Sequence, residues 1–154
     1  MRAAYLAVGL AACLGSGCAM SQLFTRSAPR SQEEQIEELV STIDCNADML
    51  HSDHTPSVHK LIDIGEPVIP RMLDLMLLDG QGDRWTRQHA QTVLSYIISK
   101  KHGFESGRGW SGPEGADHAR ALWKSLGDLD YKAPLEERQR AVKLWREWLA
   151  KNKA

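Results

Sequence analysis

Charge of one sign is what this chain lacks most plainly: 19 lysines and arginines stand against 20 aspartates and glutamates, for a formal net charge of −1. Such a balance creates no long-range field to draw in DNA, RNA or an anionic membrane surface, and nucleic acid is set aside as a partner. An apolar stretch long enough to cross a bilayer unaided is also missing, since the run near the N-terminus falls short of the roughly 20 residues a spanning helix needs. Cysteine is scarce, with 3 in 154 residues. Reaction chemistry has no signature either. The HExxH zinc pattern is absent, no motif places a Ser-His-Asp or Cys-His nucleophile, and nothing in the sequence brings two carboxylates together across a site. What is present is a hydrophobic fraction of 42%, sufficient for the core of a single domain.

The N-terminus, Met1-Arg2 followed by AAYLAVGLAACLGSGCAM, joins a cationic start to a short apolar run and small residues, the pattern of a secretory signal. It resembles the lipobox of bacterial lipoproteins in two registers. Leu14-Gly15-Ser16-Gly17 before Cys18 leaves a signal of more usual length, while Leu10-Ala11-Ala12 before Cys13 fits the residue types better. The preferred division is a signal peptide over residues 1–17, acylation of Cys18 with Cys13 as the alternative, and a flexible tether over residues 18–30; an ordinary cleaved signal or a short uncleaved anchor are the competing readings. The resemblance implies a lipoprotein anchored in the lipid bilayer of the cell envelope, facing the periplasm or the exterior. Each buried methylene of such an anchor contributes about 0.8 kcal/mol. Acylation at Cys18 leaves Cys45 as the sole thiol of the mature chain, whereas acylation at Cys13 keeps a Cys18–Cys45 bridge open. Cys45 itself reads as a partly buried helix thiol.

Helical signals begin at Ser31, where Ser-Gln-Glu-Glu forms a capping box with Glu34, and Ile36, Leu39, Val40, Ile43, Ala47 and Leu50 continue a stripe at three- and four-residue steps. Thr55-Pro56 reads as an N-cap and first helical position, with Gly65 as the stop. Glu66-Pro67 opens the next helix, whose residues Val68, Ile69, Met72, Leu73, Leu75, Met76, Leu77 and Leu78 are apolar nearly all round and suggest the central helix. Asp83 is a candidate cap for a helix whose inward face is Ala90, Val93, Leu94, Ile97 and Ile98, ended by Lys100, Lys101, His102 and Gly103. Residues 103–115 hold five glycines and a proline and suggest an exposed loop. Ala119, Leu122, Trp123 and Leu126 mark a short helix. Pro134 opens the last one, with Ala141, Leu144, Trp145, Trp148 and Leu149 inward.

Arg87-Gln88-His89-Ala90 returns as Arg138-Gln139-Arg140-Ala141, an offset of 51 positions that suggests two copies of one supersecondary unit. On Leu61, Ile64, Gly65, Pro67, Ile69, Pro70, Leu73, Leu75, Arg87, Ala90 and Leu94 the chain resembles the HEAT-repeat and related α-α superhelix families. The likeness covers roughly residues 57–98, with a looser match over 119–149. It implies an all-α domain over residues 31–151, a short α-α superhelix of antiparallel helical hairpins with about six helices. The array is short and the glycine-rich insertion interrupts the expected stacking. Membership would imply a non-catalytic scaffold that presents a helical surface to another protein, with no catalytic residues and no cofactor to carry over.

Two residue groups stand out as candidate sites. Trp85, His89 and Tyr96 on one helix, with Arg108 and Trp110 on the glycine-rich loop, offer the aromatic and arginine side chains that dominate protein interfaces. His51, Asp53, His54 and His59 gather zinc or copper donors in the loop between the first two helices, and a metal-binding envelope lipoprotein is the alternative reading. Gly107-Arg108-Gly109-Trp110-Ser111-Gly112 matches GxGxxG in form, but without a preceding strand and a helix opening on it the phosphate-binding context is missing. Trp123, Trp145 and Trp148 coincide with apolar stripes and read as core.

Overall fold

The computed structural model describes residues 30–45 and 54–152. The fold is all-α. Six helices, α1 (Gln32–Ser41), α2 (Pro56–Ile64), α3 (Ile69–Leu75), α4 (Arg84–Lys101), α5 (Pro113–Ser125) and α6 (Leu135–Asn152), are joined by a 3-10 turn at Glu66–Val68 and a small hairpin of β1 (Phe104–Glu105) and β2 (Gly109–Trp110). No helix among the described residues is long and apolar enough to cross a membrane.

The capping box forms as the sequence suggests: Glu34 N–H donates to Ser31 Oγ at 3.2 Å and Ser31 N–H donates to the Glu34 carboxylate at 2.8 Å. The end of α1 does not. The apolar stripe points to a helix continuing toward Leu50, yet α1 stops at Ser41 and residues 42–44 turn. Ser41 Oγ and Thr42 Oγ1 both donate to the Glu38 carbonyl, at 2.7 and 3.3 Å, offering the last turn an alternative to helical bonding. Ile43 keeps its place in the stripe and is buried, Cys45 is exposed beyond the helix rather than half-covered within it, and Ala47 and Leu50 lie outside the described residues.

Thr55 caps α2 through Val58 N–H at 3.2 Å and donates its hydroxyl to the Ile43 carbonyl at 2.9 Å, so one side chain starts a helix and pins the preceding loop. Gly65, at φ +82°, ends α2 with its N–H on the Leu61 carbonyl. Pro67 and Pro70 fall in the first turns of the elements that follow, where a missing N–H removes no helical bond.

Val68, Ile69, Met72, Leu73 and Met76 are fully enclosed, as the all-round apolar pattern of α3 requires. The hub of the fold is nevertheless α4, which packs against α2, α3, α5 and β1. Length decides this: α3 has 7 residues, whereas the 18 of α4 extend about 27 Å and reach every neighbour. Its inward face, Ala90, Val93, Leu94, Ile97 and Ile98, is buried as expected. Asp83 precedes α4 without capping it, because its carboxylate turns back to accept Gly80 N–H at 2.7 Å.

Residues 103–115 are not the fully exposed loop their composition suggests. Phe104 pairs with Trp110 and Glu105 with Gly109, and β1 lies against α4. Gly107 and Gly109, at φ +82° and +84°, supply the left-handed backbone that closes so short a hairpin. A strand therefore does precede the GxGxxG-like stretch, and α5 opens directly after Gly112, although Pro113 removes the first N–H of that helix.

Both ends of α6 lie 51 positions beyond those of α4, the same offset that separates Arg87-Gln88-His89-Ala90 from Arg138-Gln139-Arg140-Ala141. Its inward face is turned slightly from the expected one: Val142 is buried and Leu144 is 40% exposed. Trp145 is fully enclosed, edge-on to Trp123 at 5.3 Å and to Trp148 at 6.1 Å between ring centres.

Candidate functional site

The described residues place five rings in a continuous row over α2, α4 and the hairpin. His59 lies 5.3 Å from His54, His54 5.3 Å from Tyr96, Tyr96 5.6 Å from Phe104, and Phe104 5.2 Å from Trp110. The last three contacts are edge-to-face, the arrangement that ring quadrupoles favour. Each position follows from local structure. Tyr96 projects from α4 toward the side covered by β1, strand pairing sets Phe104 opposite Trp110, and His54 immediately precedes the Thr55 cap. His54, Tyr96, Phe104 and Trp110 are half-buried and His59 is exposed. Arg108 stands at the hairpin tip, 83% exposed and 3.1 Å from Glu105.

Beside Trp110 lies a cleft of about 260 Å³ between α4 and α5, bounded by Ile98, Ala119, Trp110 and Trp123. Gly115 lets α5 approach here, since a Cβ on it would fall 2.4 Å from the His102 carbonyl oxygen and 3.1 Å from the Trp110 ring. The surrounding charges are mostly paired: Lys100 with Asp63 at 3.1 Å, and Lys101 with Glu66 at 2.8 Å while also sitting over the Trp148 ring at 5.1 Å. Exposed pairs of this kind contribute about 0–1 kcal/mol each. The row therefore offers ring edges and faces rather than a charge field.

Of the five residues singled out as a partner surface, the fold brings together Tyr96 and Trp110, with Arg108 at the tip. Trp85 is 44% exposed but sits in the first turn of α4, about 16 Å along the axis from Tyr96. His89 is not on the surface. It is 4% exposed, and its Nδ1 lies 2.7 Å from Asp44 Oδ1 while Thr86 Oγ1 donates to the other Asp44 oxygen. That cluster ties the α1–α2 loop to α4. Among the metal-donor candidates, His54 and His59 are brought together, while His51 and Asp53 lie outside the described residues, as do Cys13 and Cys18. Among the described residues no group of three or more His, Cys, Asp or Glu side chains is placed to hold one ion.

Sequence reasoning missed Phe104 and Asp44. Phe104 had a signal in principle, because Phe-Glu and Gly-Trp flank a glycine-containing turn of hairpin length. Asp44 had none, being 45 positions from the histidine it binds.

No family model, curated protein or solved structure matches the chain.

Proposed function

We propose that this chain is a non-catalytic protein-interaction module of the bacterial cell envelope, tethered to the membrane through acylated Cys18, whose partner docks on the ring row centred on Tyr96, Phe104 and Trp110. The carrying observation is the row itself: half-buried rings on a helix and a hairpin braced against it, with an arginine at the edge. Rings held this way lose little conformational freedom on binding, and aromatic and arginine side chains are enriched where binding energy concentrates. The matched lengths of α4 and α6 and their shared Arg-Gln-x-Ala support a short HEAT-like superhelix as the scaffold.

The test is isolation of the full chain from solubilised envelopes, comparing proteins that co-purify with wild type, Arg108→Glu and Trp110→Ala. A defined set lost with both variants, at unchanged melting temperature for Arg108→Glu, supports the reading; identical sets overturn it. Labelling with a clickable fatty acid tests the anchor. Loss in Cys18→Ser and retention in Cys13→Ser is the expected result, the reverse moves the anchor to Cys13, and no label in wild type removes it.

A second reading has its own observation. Two imidazoles on one tetrahedral ion have ring centres about 5 Å apart, given metal–nitrogen bonds of about 2.0 Å. His54 and His59 stand at 5.3 Å. On that reading they bind zinc or copper, with His51 and Asp53 as further donors. A melting transition raised by either metal and left unmoved in His54→Ala favours it, and a wild-type transition unchanged in metal excess eliminates it.

A further inference from the structure

The 51-position offset makes α6 the counterpart of α4, and the two helices differ in what covers one face. On α4 that face includes Gln91, Ser95, Tyr96 and Ser99. Gln91 accepts Tyr131 N–H at 2.6 Å, Tyr96 packs on Phe104, and Ser95 and Ser99 look across the cleft to α5. Later parts of the chain thus cover it. Their counterparts on α6 are Val142, which is buried at the floor, and Arg146, Glu147 and Ala150, which are exposed; together with Leu77 just beyond α3 they line an open groove of about 450 Å³. Ser95, Tyr96 and Ser99 are half-buried, whereas Arg146, Glu147 and Ala150 at the matching positions are exposed.

The charges along this groove are self-complementary. Arg146 is held by Asp74 at 2.8 Å, whereas Lys143 and Glu147, both exposed, have no ion-pair partner among the described residues. They stand one helical turn apart. When two copies of such a helix pack antiparallel about a twofold axis level with residue 145, Lys143 of each copy faces Glu147 of the other, twice over. In the same register Ala150 of each copy faces Arg140 of the other and leaves room for its longer side chain.

We infer that the α6 groove is a homodimer interface, in which a second copy of this chain supplies through its own α6 the cover that α5 and the hairpin give α4. The contact is small, near or below about 1,200 Å² of total buried surface, and therefore belongs with weak, transient interfaces. Membrane tethering raises the effective concentration of the copies and offsets that weakness. The interface is separate from the ring row and depends neither on the protein partner proposed above nor on which cysteine is acylated.

Sedimentation velocity of the full chain in density-matched detergent, over protein concentrations up to about 0.5 mM, tests the inference, with dimer dissociation constants in the micromolar range expected. Lys143→Glu and Glu147→Lys each replace two attractive contacts by two repulsive ones and weaken dimerisation about tenfold. The double variant recreates the pairing with its signs exchanged and restores association to within about threefold of wild type. Lys124→Glu, on α5, leaves dimerisation unchanged. Both charge-reversal sites are exposed, and circular dichroism confirms that each variant is folded. A wild-type chain monomeric throughout, single variants that dimerise as well as wild type, or a double variant no better than the singles overturns the inference.

Discussion

Arg87 and Arg138, at equivalent positions of α4 and α6, both donate to the Leu78 carbonyl oxygen, at 3.0 and 2.8 Å. The end of a helix leaves carbonyls without helical partners, and here the chain beyond α3 is satisfied by two guanidinium groups from two other helices. Arg87 reaches on to the Tyr131 carbonyl at 3.2 Å. Arg138 also donates to the carbonyls of Met76 and Ala133 and pairs with Asp79 at 2.8 Å, with its side chain 2% exposed. Burial pushes the Arg138 guanidinium below its ordinary range and the charge of Arg87 adds to that shift, while Asp79 opposes it. Three helices are thereby fastened at one point.

Arg138→Ala is expected to cost about 2–4 kcal/mol, because it empties a buried site and strips the buried Met76 carbonyl and the part-buried Ala133 carbonyl of a donor, while the Leu78 carbonyl keeps Arg87 and Asp79, 62% exposed, turns to water. Arg138→Lys recovers little of this, since an ammonium cannot span the fork that a guanidinium fills. Arg87→Ala is expected to cost about 1–2 kcal/mol. The two charges repel while sharing one acceptor, so the double variant should depart from additivity by at least about 0.5 kcal/mol in urea denaturation. Additivity within error would show that the shared carbonyl does not couple the helices.

Asp44→Ala frees the loop after α1 from both His89 and Thr86. Asp44 is 45% exposed, so a cost of about 1 kcal/mol is expected, with a larger loss of about 2 kcal/mol for His89→Ala, which also leaves a cavity. Urea midpoints at constant m-value provide the check.

Trp145 is fully buried and its indole N–H has no partner among the described residues. Trp145→Phe relieves that donor while keeping a ring against Trp123 and Trp148, so it should cost no more than about 1.5 kcal/mol; Trp145→Ala, which empties the site, should cost about 3–5 kcal/mol. Equal losses in thermal unfolding would show that the indole N–H is satisfied.

Glycine substitutions separate backbone need from mere composition. Gly127 has φ +92°, and a Cβ there would meet Ala141 at 2.9 Å, so Gly127→Ala should destabilise by about 2 kcal/mol or more. Gly82, with open space at Cβ and no positive φ, should tolerate alanine or gain up to about 1 kcal/mol. Opposite rankings in melting temperature would contradict the turn geometry on which the α5–α6 approach depends.

Local chemistry was legible in the residues and distant chemistry was not. Ser31 with Glu34, and Thr55 with Pro56, announce helix starts because every atom involved lies within one turn. The end of α1 was obscured because Ile43 stays in register after the backbone has turned away. Glycine content concealed the hairpin: five glycines in 13 residues read as a loop until strand pairing sets Phe104 against Trp110. Trp85, His89 and Tyr96 do project to nearby sides of α4, but the loop bearing Asp44 covers the middle one, and helical spacing cannot register a cover supplied from 45 positions away. The Arg87 and Arg138 repeat was visible as text, while the carbonyl they share had no signal at all.

The most direct measurement of the central claim is site-specific photo-cross-linking in living cells, with a photoreactive phenylalanine at Arg108 beside the ring row or at Lys124 on α5. One discrete protein adduct from position 108, absent at 124, is the result expected of a partner docked on Tyr96, Phe104 and Trp110. The same adducts at both positions, or none at 108 with the protein intact and at wild-type level, would contradict it.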